Sequence, residues 1–195
     1  MRNVILHILE ESLRVKSKFI EKNIDNIIKG ADMMAACIAS GHKILIFGNG
    51  GSAADAQHLA AEFVNRFKIE RPPLAALALT TDTSLLTSIG NDYHFDDIFS
   101  KQIQALAKEQ DIALGISTSG NSQNVIKAIH TAKKQGLLTI GMTGRGGQLA
   151  KCAELVFSAD SDETARIQEA HITLGHILCD IVDRILFPQE FDTDI

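Results

Sequence analysis

Five short apolar runs, each bounded by turn residues, constrain the fold more than any other feature of the chain. The runs cover residues 43–47, 74–79, 112–116, 137–140 and 154–157. They are almost continuously apolar rather than alternating, which is typical of strands buried on both faces. The stretches between them are long enough for the crossover helices that connect parallel strands. The pattern therefore predicts an α/β chain, a three-layer α/β/α sandwich around a five-stranded parallel sheet.

Helical spacing of apolar residues marks the remaining segments. Between and after the strands, we expect helices at residues 52–66, 84–90, 95–108, 121–135 and 162–186. Residues 1–40 show the same spacing, with no glycine before Gly30. We interpret them as an extension of two helices that pack on the domain or on a neighbouring subunit. No linker or repeat divides the chain, so we expect a single domain over residues 1–195.

Charge and cysteine content limit the classes of partner and compartment. The net charge is −5, from 19 basic and 24 acidic residues with no basic run, so we expect no nucleic-acid partner. Cys37, Cys152 and Cys179 lack metal-type spacing, and we interpret them as buried or semi-buried thiols in a reducing compartment. The chain has neither the apolar core of a signal peptide nor the roughly 18 apolar residues of a membrane helix. We therefore predict a cytoplasmic protein without a membrane partner.

A glycine-rich loop, Gly48-Asn49-Gly50-Gly51-Ser52, follows the first predicted strand. Ligands of open parallel sheets bind beyond the carboxyl ends of the strands, where such loops lie. Glycine also lets a ligand approach the main chain closely. A purely structural turn explains a lone glycine-rich loop about as well, so this motif is weak evidence for a ligand.

A serine-rich turn, Ser117-Thr118-Ser119-Gly120-Asn121-Ser122, follows the third predicted strand. Hydroxyls, backbone amides and the positive end of a helix dipole can together bind a phosphate group without a cationic side chain. The alternative is that a serine merely caps the next helix. Because capping uses a single hydroxyl and the turn offers several, we predict that it binds phosphate.

Two helical segments far apart in the chain place histidines near oxygen donors. His58 and Glu62 are four residues apart, hence on the same helix face, where they can bind one metal ion. An isolated pair of this kind is more often a solvated surface interaction. On the last predicted helix, Gln168 and His176 can both point into one cleft, whereas we expect His171 to face elsewhere.

Together these motifs resemble the phosphoheptose isomerase family, single-domain members of the sugar isomerase (SIS) superfamily. The resemblance rests on residues 48–52, 55–58, Glu62, 90–92, 115–122 and 166–169, and extends to residues 185–188. The combination is specific, whereas the serine-rich turn alone indicates only the superfamily. The resemblance implies a flavodoxin-like SIS fold and a homotetramer with active sites between subunits. It also implies conversion of sedoheptulose 7-phosphate to D-glycero-D-manno-heptose 7-phosphate, for the inner-core heptose of lipopolysaccharide.

The resemblance also implies roles for individual residues. His58, Glu62, Gln168 and His176 would bind one Zn²⁺ per subunit, and Glu62 and His176 would serve as catalytic acid/base groups. The substrate-binding residues implied in the same way are Asn49, Gly50, Gly51, Glu62, Asn91, Asp92, Ser117, Thr118, Ser119, Ser122 and Gln168. One departure is Ala165, where some family members have an aspartate, so any contribution of that carboxylate is in doubt here.

Two other functions compete with the isomerase. The DnaA initiator-associating protein, a regulatory binding module, is similar in fold and in the Glu70-Arg71-Pro72 neighbourhood. We interpret that relative as lacking groups equivalent to Glu62 and His176, both of which this chain retains. The other alternative is a metal-free sugar-phosphate sensor or an aminosugar isomerase.

Overall fold

The computed structural model describes residues 1–191. The strands are β1 (Ile44–Gly48), β2 (Ala76–Ala78), β3 (Ile112–Ser117), β4 (Leu138–Thr143) and β5 (Leu155–Ser158). The helices are α1 (Arg2–Ala39), α2 (Gly51–Val64), α3 (Thr83–Asp92), α4 (Ile98–Leu106), α5 (Gln123–Lys134), α6 (Leu149–Cys152) and α7 (Thr164–Leu186). Single 3₁₀ turns span Phe95–Asp97 and Pro188–Glu190.

All five strands form one parallel sheet in the order β2-β1-β3-β4-β5. This is the flavodoxin-like order, in which the chain reverses its direction of travel between β1 and β3. The pairing of Gly48 with Ile116 brings the carboxyl ends of these two strands side by side. The glycine-rich loop and the serine-rich turn therefore flank the same crevice, as the sequence predicts.

The core has two parts, one on each face of the sheet, which confirms the three-layer sandwich. On one face, Phe19 of α1, Phe63 of α2 and Leu174 of α7 pack against the sheet. On the other, Phe99 of α4 and Ile129 of α5 do so. Strands β1 and β3 are buried along their whole length, as their continuous apolarity requires.

The prediction of two helices within residues 1–40 is wrong, because Arg2–Ala39 forms one continuous helix. Gly30 does not interrupt it but lies inside it, where a Cβ would stand 3.1 Å from side-chain atoms of both Leu155 and Phe157. Glycine thus allows close packing on the sheet instead of marking a turn. This long helix packs mainly against α7.

Other boundaries differ by a few residues. The predicted helix at 95–108 begins with a 3₁₀ turn, and the short helix α6 is not expected from the sequence. The second strand is shorter than its apolar run, since only Ala76–Ala78 pair with β1. Cys37, Cys152 and Cys179 are free and buried, as expected. Among the helices of residues 1–191, none combines the length and apolarity that crossing a membrane requires.

Candidate active site

The glycine-rich loop turns the chain from β1 directly into α2. Gly50 precedes the helix with φ of 56°, a left-handed conformation that favours glycine. The amide of Asn49 exchanges two hydrogen bonds, of 2.9 and 2.8 Å, with the amide of Asn124 at the start of α5. Because this side chain is already paired, the loop presents mainly backbone groups toward the crevice.

In the serine-rich turn the hydroxyls are not consumed by helix capping. Ser122 precedes α5 without a side-chain capping bond, and its hydroxyl lies 2.9 Å from that of Ser117. The Ser119 hydroxyl oxygen accepts from the backbone N–H of Asn121 at 3.1 Å, which leaves its own hydrogen available. The turn therefore offers hydroxyls beside the amino terminus of a helix, the arrangement that suits a phosphate group.

A cavity of about 330 Å³ opens next to this turn, lined by Thr118 and Ser119 on one side and by Arg145 on the other. The backbone of the β4–α6 loop supports the turn, since Gly144 N–H donates to the Thr118 carbonyl at 3.0 Å. The Arg145 guanidinium pairs with Asp160 and Asp162 at the cavity mouth. The cavity is thus polar and of a size that admits a small phosphorylated molecule.

Facing helices α2 and α7 bring His58, Glu62 and His176 together. The Nε2 atoms of His58 and His176 lie 2.9 Å apart, so one imidazole donates to the other. Glu62 Oε1 lies 3.4 Å from His58 Nε2, as expected for residues one helical turn apart. The Phe67 ring stacks on the His176 ring with centroids 5.4 Å apart, a contact that the sequence reasoning missed.

The electrostatics of this cluster favour a neutral His176. Burial lowers the pKa of its imidazole, the neighbouring His58 lowers it further, and Glu62 opposes the shift. One turn before His58, burial raises the pKa of the Asp55 carboxyl, and its Oδ2 atom has no hydrogen-bond partner in residues 1–191. The cluster therefore contains a neutral imidazole that can accept a proton, one of the groups that acid–base catalysis uses.

Gln168 occupies a different place from the histidines. Its side chain lies against Gly51, where a Cβ would stand 2.8 Å from the Gln168 Cδ atom. Along α7, Gln168 precedes His176 by eight residues, or about 12 Å of helical rise. Within one chain, therefore, Gln168 faces the glycine-rich loop while the other three predicted metal ligands meet further along the two helices.

The donors at the cluster can be compared with the needs of a metal ion. No group of three or more His, Cys, Asp or Glu side chains in residues 1–191 is arranged to hold a metal as it stands. However, donor atoms of a tetrahedral zinc site with bonds of about 2.1 Å lie roughly 3.4 Å apart. The 3.4 Å between His58 and Glu62 matches this spacing, and the two imidazoles, at 2.9 Å, need only separate slightly. Two imidazoles and a carboxylate are also a donor set that zinc prefers.

The structure also gives the positions of Asn91, Asp92 and His171. Asn91 and Asp92 are exposed at the end of α3, where the Asn91 amide donates to the Asp92 carboxylate at 2.8 Å. His171 faces away, as expected: it is buried, and its Nε2 lies 3.1 Å from the Thr143 carbonyl. The sequence reasoning missed Asn124, because an asparagine near a helix start is explained by capping alone.

Comparisons with known proteins show what the whole chain is similar to. The sequence model of the SIS domain family matches residues 7–144. The phosphoheptose isomerase of Nitratidesulfovibrio vulgaris (strain Hildenborough) is 55% identical over 187 residues, covering 95% of this chain and 90% of that protein. The phosphoheptose isomerase of Aquifex aeolicus is 52% identical over 187 residues, covering 95% and 98%. The structure of phosphoheptose isomerase from Neisseria gonorrhoeae superposes with a TM-score of 0.88 at 45% identity, covering 93% of this chain and 98% of that one.

Proposed function

The chain belongs to the phosphoheptose isomerase family of SIS-domain proteins, and from this we propose that it converts sedoheptulose 7-phosphate to D-glycero-D-manno-heptose 7-phosphate. The observation that supports an enzyme most strongly is the meeting of Glu62 and His176 beside His58. A binding module has no need for adjacent proton carriers, so the regulatory alternative is not favoured.

The reaction moves hydrogen between neighbouring carbons of the sugar. A base removes a proton from C1 of the ketose, the resulting enediol rearranges its hydroxyl protons, and an acid returns a proton to C2. We assign Glu62 to one carbon-proton transfer and His176 to the complementary one. Burial lowers the pKa of His176, which favours the neutral imidazole, the form that accepts a proton.

The serine-rich turn is the proposed phosphate site. Its hydroxyls and the amino terminus of α5 would bind the phosphate oxygens. The adjacent cavity would hold the end of the sugar that carries the phosphate, away from C1 and C2. Asn49, Gly50 and Gly51, together with Gln168, would contact the sugar from the other side of the crevice.

One zinc ion per subunit is part of the proposal. His58, Glu62 and His176 would hold it, with Gln168 as the further ligand that the family resemblance implies. When bound, the metal would polarise the sugar oxygens and stabilise negative charge that develops on them. Alanine in place of His58 should lower the zinc content of the purified, folded protein.

We further propose a homotetramer whose active sites lie between subunits. The His58 side chain is 47% exposed in the single chain, so the cluster is open to solvent on one side. Apolar side chains along α1, such as Ile5, Leu9 and Leu13, are also more than half exposed. A neighbouring subunit covering both surfaces would enclose the site and bury the apolar face of α1. Membership of the family also supports a cytoplasmic location. There the enzyme would supply the inner-core heptose of lipopolysaccharide.

The assignment of proton carriers is tested by Glu62→Gln and His176→Gln. Both substitutions keep a polar side chain but remove the titrating group, so kcat should fall by about 10²–10⁴-fold with a much smaller change in KM. Steady-state kinetics with sedoheptulose 7-phosphate would measure this. Parental turnover in both variants would show that other groups move the protons.

A further inference from the structure

The buried guanidinium of Arg71 links the carboxyl-terminal end of α2 to α7 through hydrogen bonds. The Arg71 side chain is 1% exposed, and its Nε donates to Asp183 Oδ1 at 2.8 Å. Its terminal nitrogens donate to the carbonyls of Glu62 at 2.9 Å and Phe63 at 2.8 Å, with longer bonds to Asn65 and Pro72. The Glu62 and Phe63 carbonyls belong to the last turn of α2, where the helix itself provides no donors.

The partners of Arg71 lie on the same helices as the candidate proton carriers. On α2 it binds the backbone of Glu62 itself. On α7, Asp183 follows His176 by seven residues, which places both on one face of that helix. The Arg71 side chain therefore connects the backbone of Glu62 to the helix that carries His176.

We propose that Arg71 and Asp183 are positioning residues, which hold α2 and α7 in the one relative placement that brings Glu62 and His176 together. The inference rests on the function proposed above for these two groups. Neither Arg71 nor Asp183 touches the reacting atoms; they act through the helices that they join.

Apolar packing alone would not fix this placement. The helices approach closely at Gly175, where a Cβ would stand 2.5 Å from the Leu59 Cδ2 atom. Such contact is non-directional and permits small sliding or rotation about the contact point. Charge-assisted hydrogen bonds have strict geometry, whereas a buried ion pair adds little net stability compared with an apolar pair. The Arg71–Asp183 pair therefore contributes mainly by defining the position of α2 relative to α7.

The experiment compares variants that separate positioning from stability. Arg71→Ala removes the whole connection, and Asp183→Ala removes its α7 end. Asp183→Asn keeps an acceptor at that end while discarding the charge. The matched control is Asp111→Asn, because Asp111 is a similarly buried carboxylate, 1% exposed, paired with Lys43 at the amino-terminal ends of β1 and β3.

We expect Arg71→Ala and Asp183→Ala to lower kcat by about 10²-fold, since a displacement of about 1 Å at a reacting group has this effect. KM should stay within about twofold, because the phosphate site is untouched. Asp183→Asn should retain most of the parental kcat despite its lower thermal stability. Guanidinium chloride at low millimolar concentration should partly restore kcat in Arg71→Ala and leave the parent unaffected. If Arg71→Ala does not fold, the contrast between Asp183→Ala and Asp183→Asn decides the question.

A second measurement does not depend on turnover. The imidazole nitrogen signals of His58 and His176, observed by NMR, should shift in Arg71→Ala and Asp183→Ala but not in Asp111→Asn. Unchanged imidazole signals together with parental kcat in a folded Arg71→Ala protein would overturn the inference. It would also be overturned if kcat fell in proportion to the loss of stability in all variants, including Asp111→Asn. An inactive parent would instead refute the proposed function, and the NMR comparison would still decide whether Arg71 positions the imidazoles.

Discussion

Substituting Gly51 by alanine tests whether the place of Gln168 matters for function. A Cβ on Gly51 would stand 2.8 Å from Gln168 Cδ and 3.1 Å from Oε1, with the amide nitrogen closer still. Ordinary contact begins near 3.4 Å, so the amide must move away. The obstructing atoms are the end of a flexible side chain, which can rotate at a cost of about 0.5–1.5 kcal/mol.

The expected effects on stability and activity therefore differ. Replacing glycine by alanine in a helix gains up to about 1 kcal/mol, which offsets much of the rotation cost. We expect the free energy of unfolding to change by less than about 1 kcal/mol. Because the displaced amide leaves the crevice, kcat/KM for sedoheptulose 7-phosphate should fall by about 10²-fold. Thermal unfolding and steady-state kinetics measure the two effects separately.

Two comparisons test whether the loss of kcat/KM in Gly51→Ala is due to Gln168. Gly90→Ala is the control, because Gly90 also lies in a helix and a Cβ there meets nothing within 4 Å. If Gly51→Ala acts through Gln168, it should add little to the loss that Gln168→Ala causes alone. Parental kcat/KM in Gly51→Ala would refute the reasoning, and fully additive losses would show that the new methyl group blocks substrate directly.

Three further outcomes are expected. Ser119→Ala and Ser122→Ala should each raise KM for the phosphosugar, by an amount equivalent to about 1.5–3 kcal/mol per lost hydrogen bond to the charged phosphate. Equal activity on unphosphorylated sedoheptulose would contradict phosphate binding by the serine-rich turn. Light scattering should report a homotetramer, and a fully active monomer would exclude shared sites. Burial lowers the pKa of His171 from its ordinary value of 6.5 to about 4, so the unfolded chain takes up the proton first as the pH falls. This contribution to stability is complete above pH 6.5 and is lost as the pH falls toward 4, and denaturant titrations should show a steeper loss of stability over this pH range in the parent than in His171→Gln, which keeps the other titrating groups.

The layers of the fold follow directly from the sequence, because strands buried on both faces have few alternatives to apolar residues. Strands β1 and β3 lie within a residue of their apolar runs. The two-helix prediction for residues 1–40 fails because apolar residues at helical spacing do not show whether two stretches belong to one continuous helix. Gly30 lies inside that helix, and the packing that it permits is not visible in the sequence. The close approach to Leu155 and Phe157 emerges only in three dimensions.

The candidate site was predictable in its residue types and only partly in its arrangement. The spacing of His58 and Glu62 places them on one helix face, and the structure brings His176 to them across α2 and α7. The position of Gln168 beside Gly51 depends on how these helices are offset, which local spacing does not encode. The pairing of Arg71 with Asp183 was not predicted for the same reason, since the two residues are 112 positions apart in the chain.

Isomerisation of a phosphorylated ketose by this chain can be measured directly. Purified protein incubated with sedoheptulose 7-phosphate in deuterated water can be followed by NMR for the aldose signal and for deuterium bound to carbon. We predict accumulation of the heptose 7-phosphate, with exchange at the carbon that gains or loses a proton. No aldose and no exchange from folded, zinc-supplied protein would contradict the isomerase function and leave the regulatory binding protein as the better explanation.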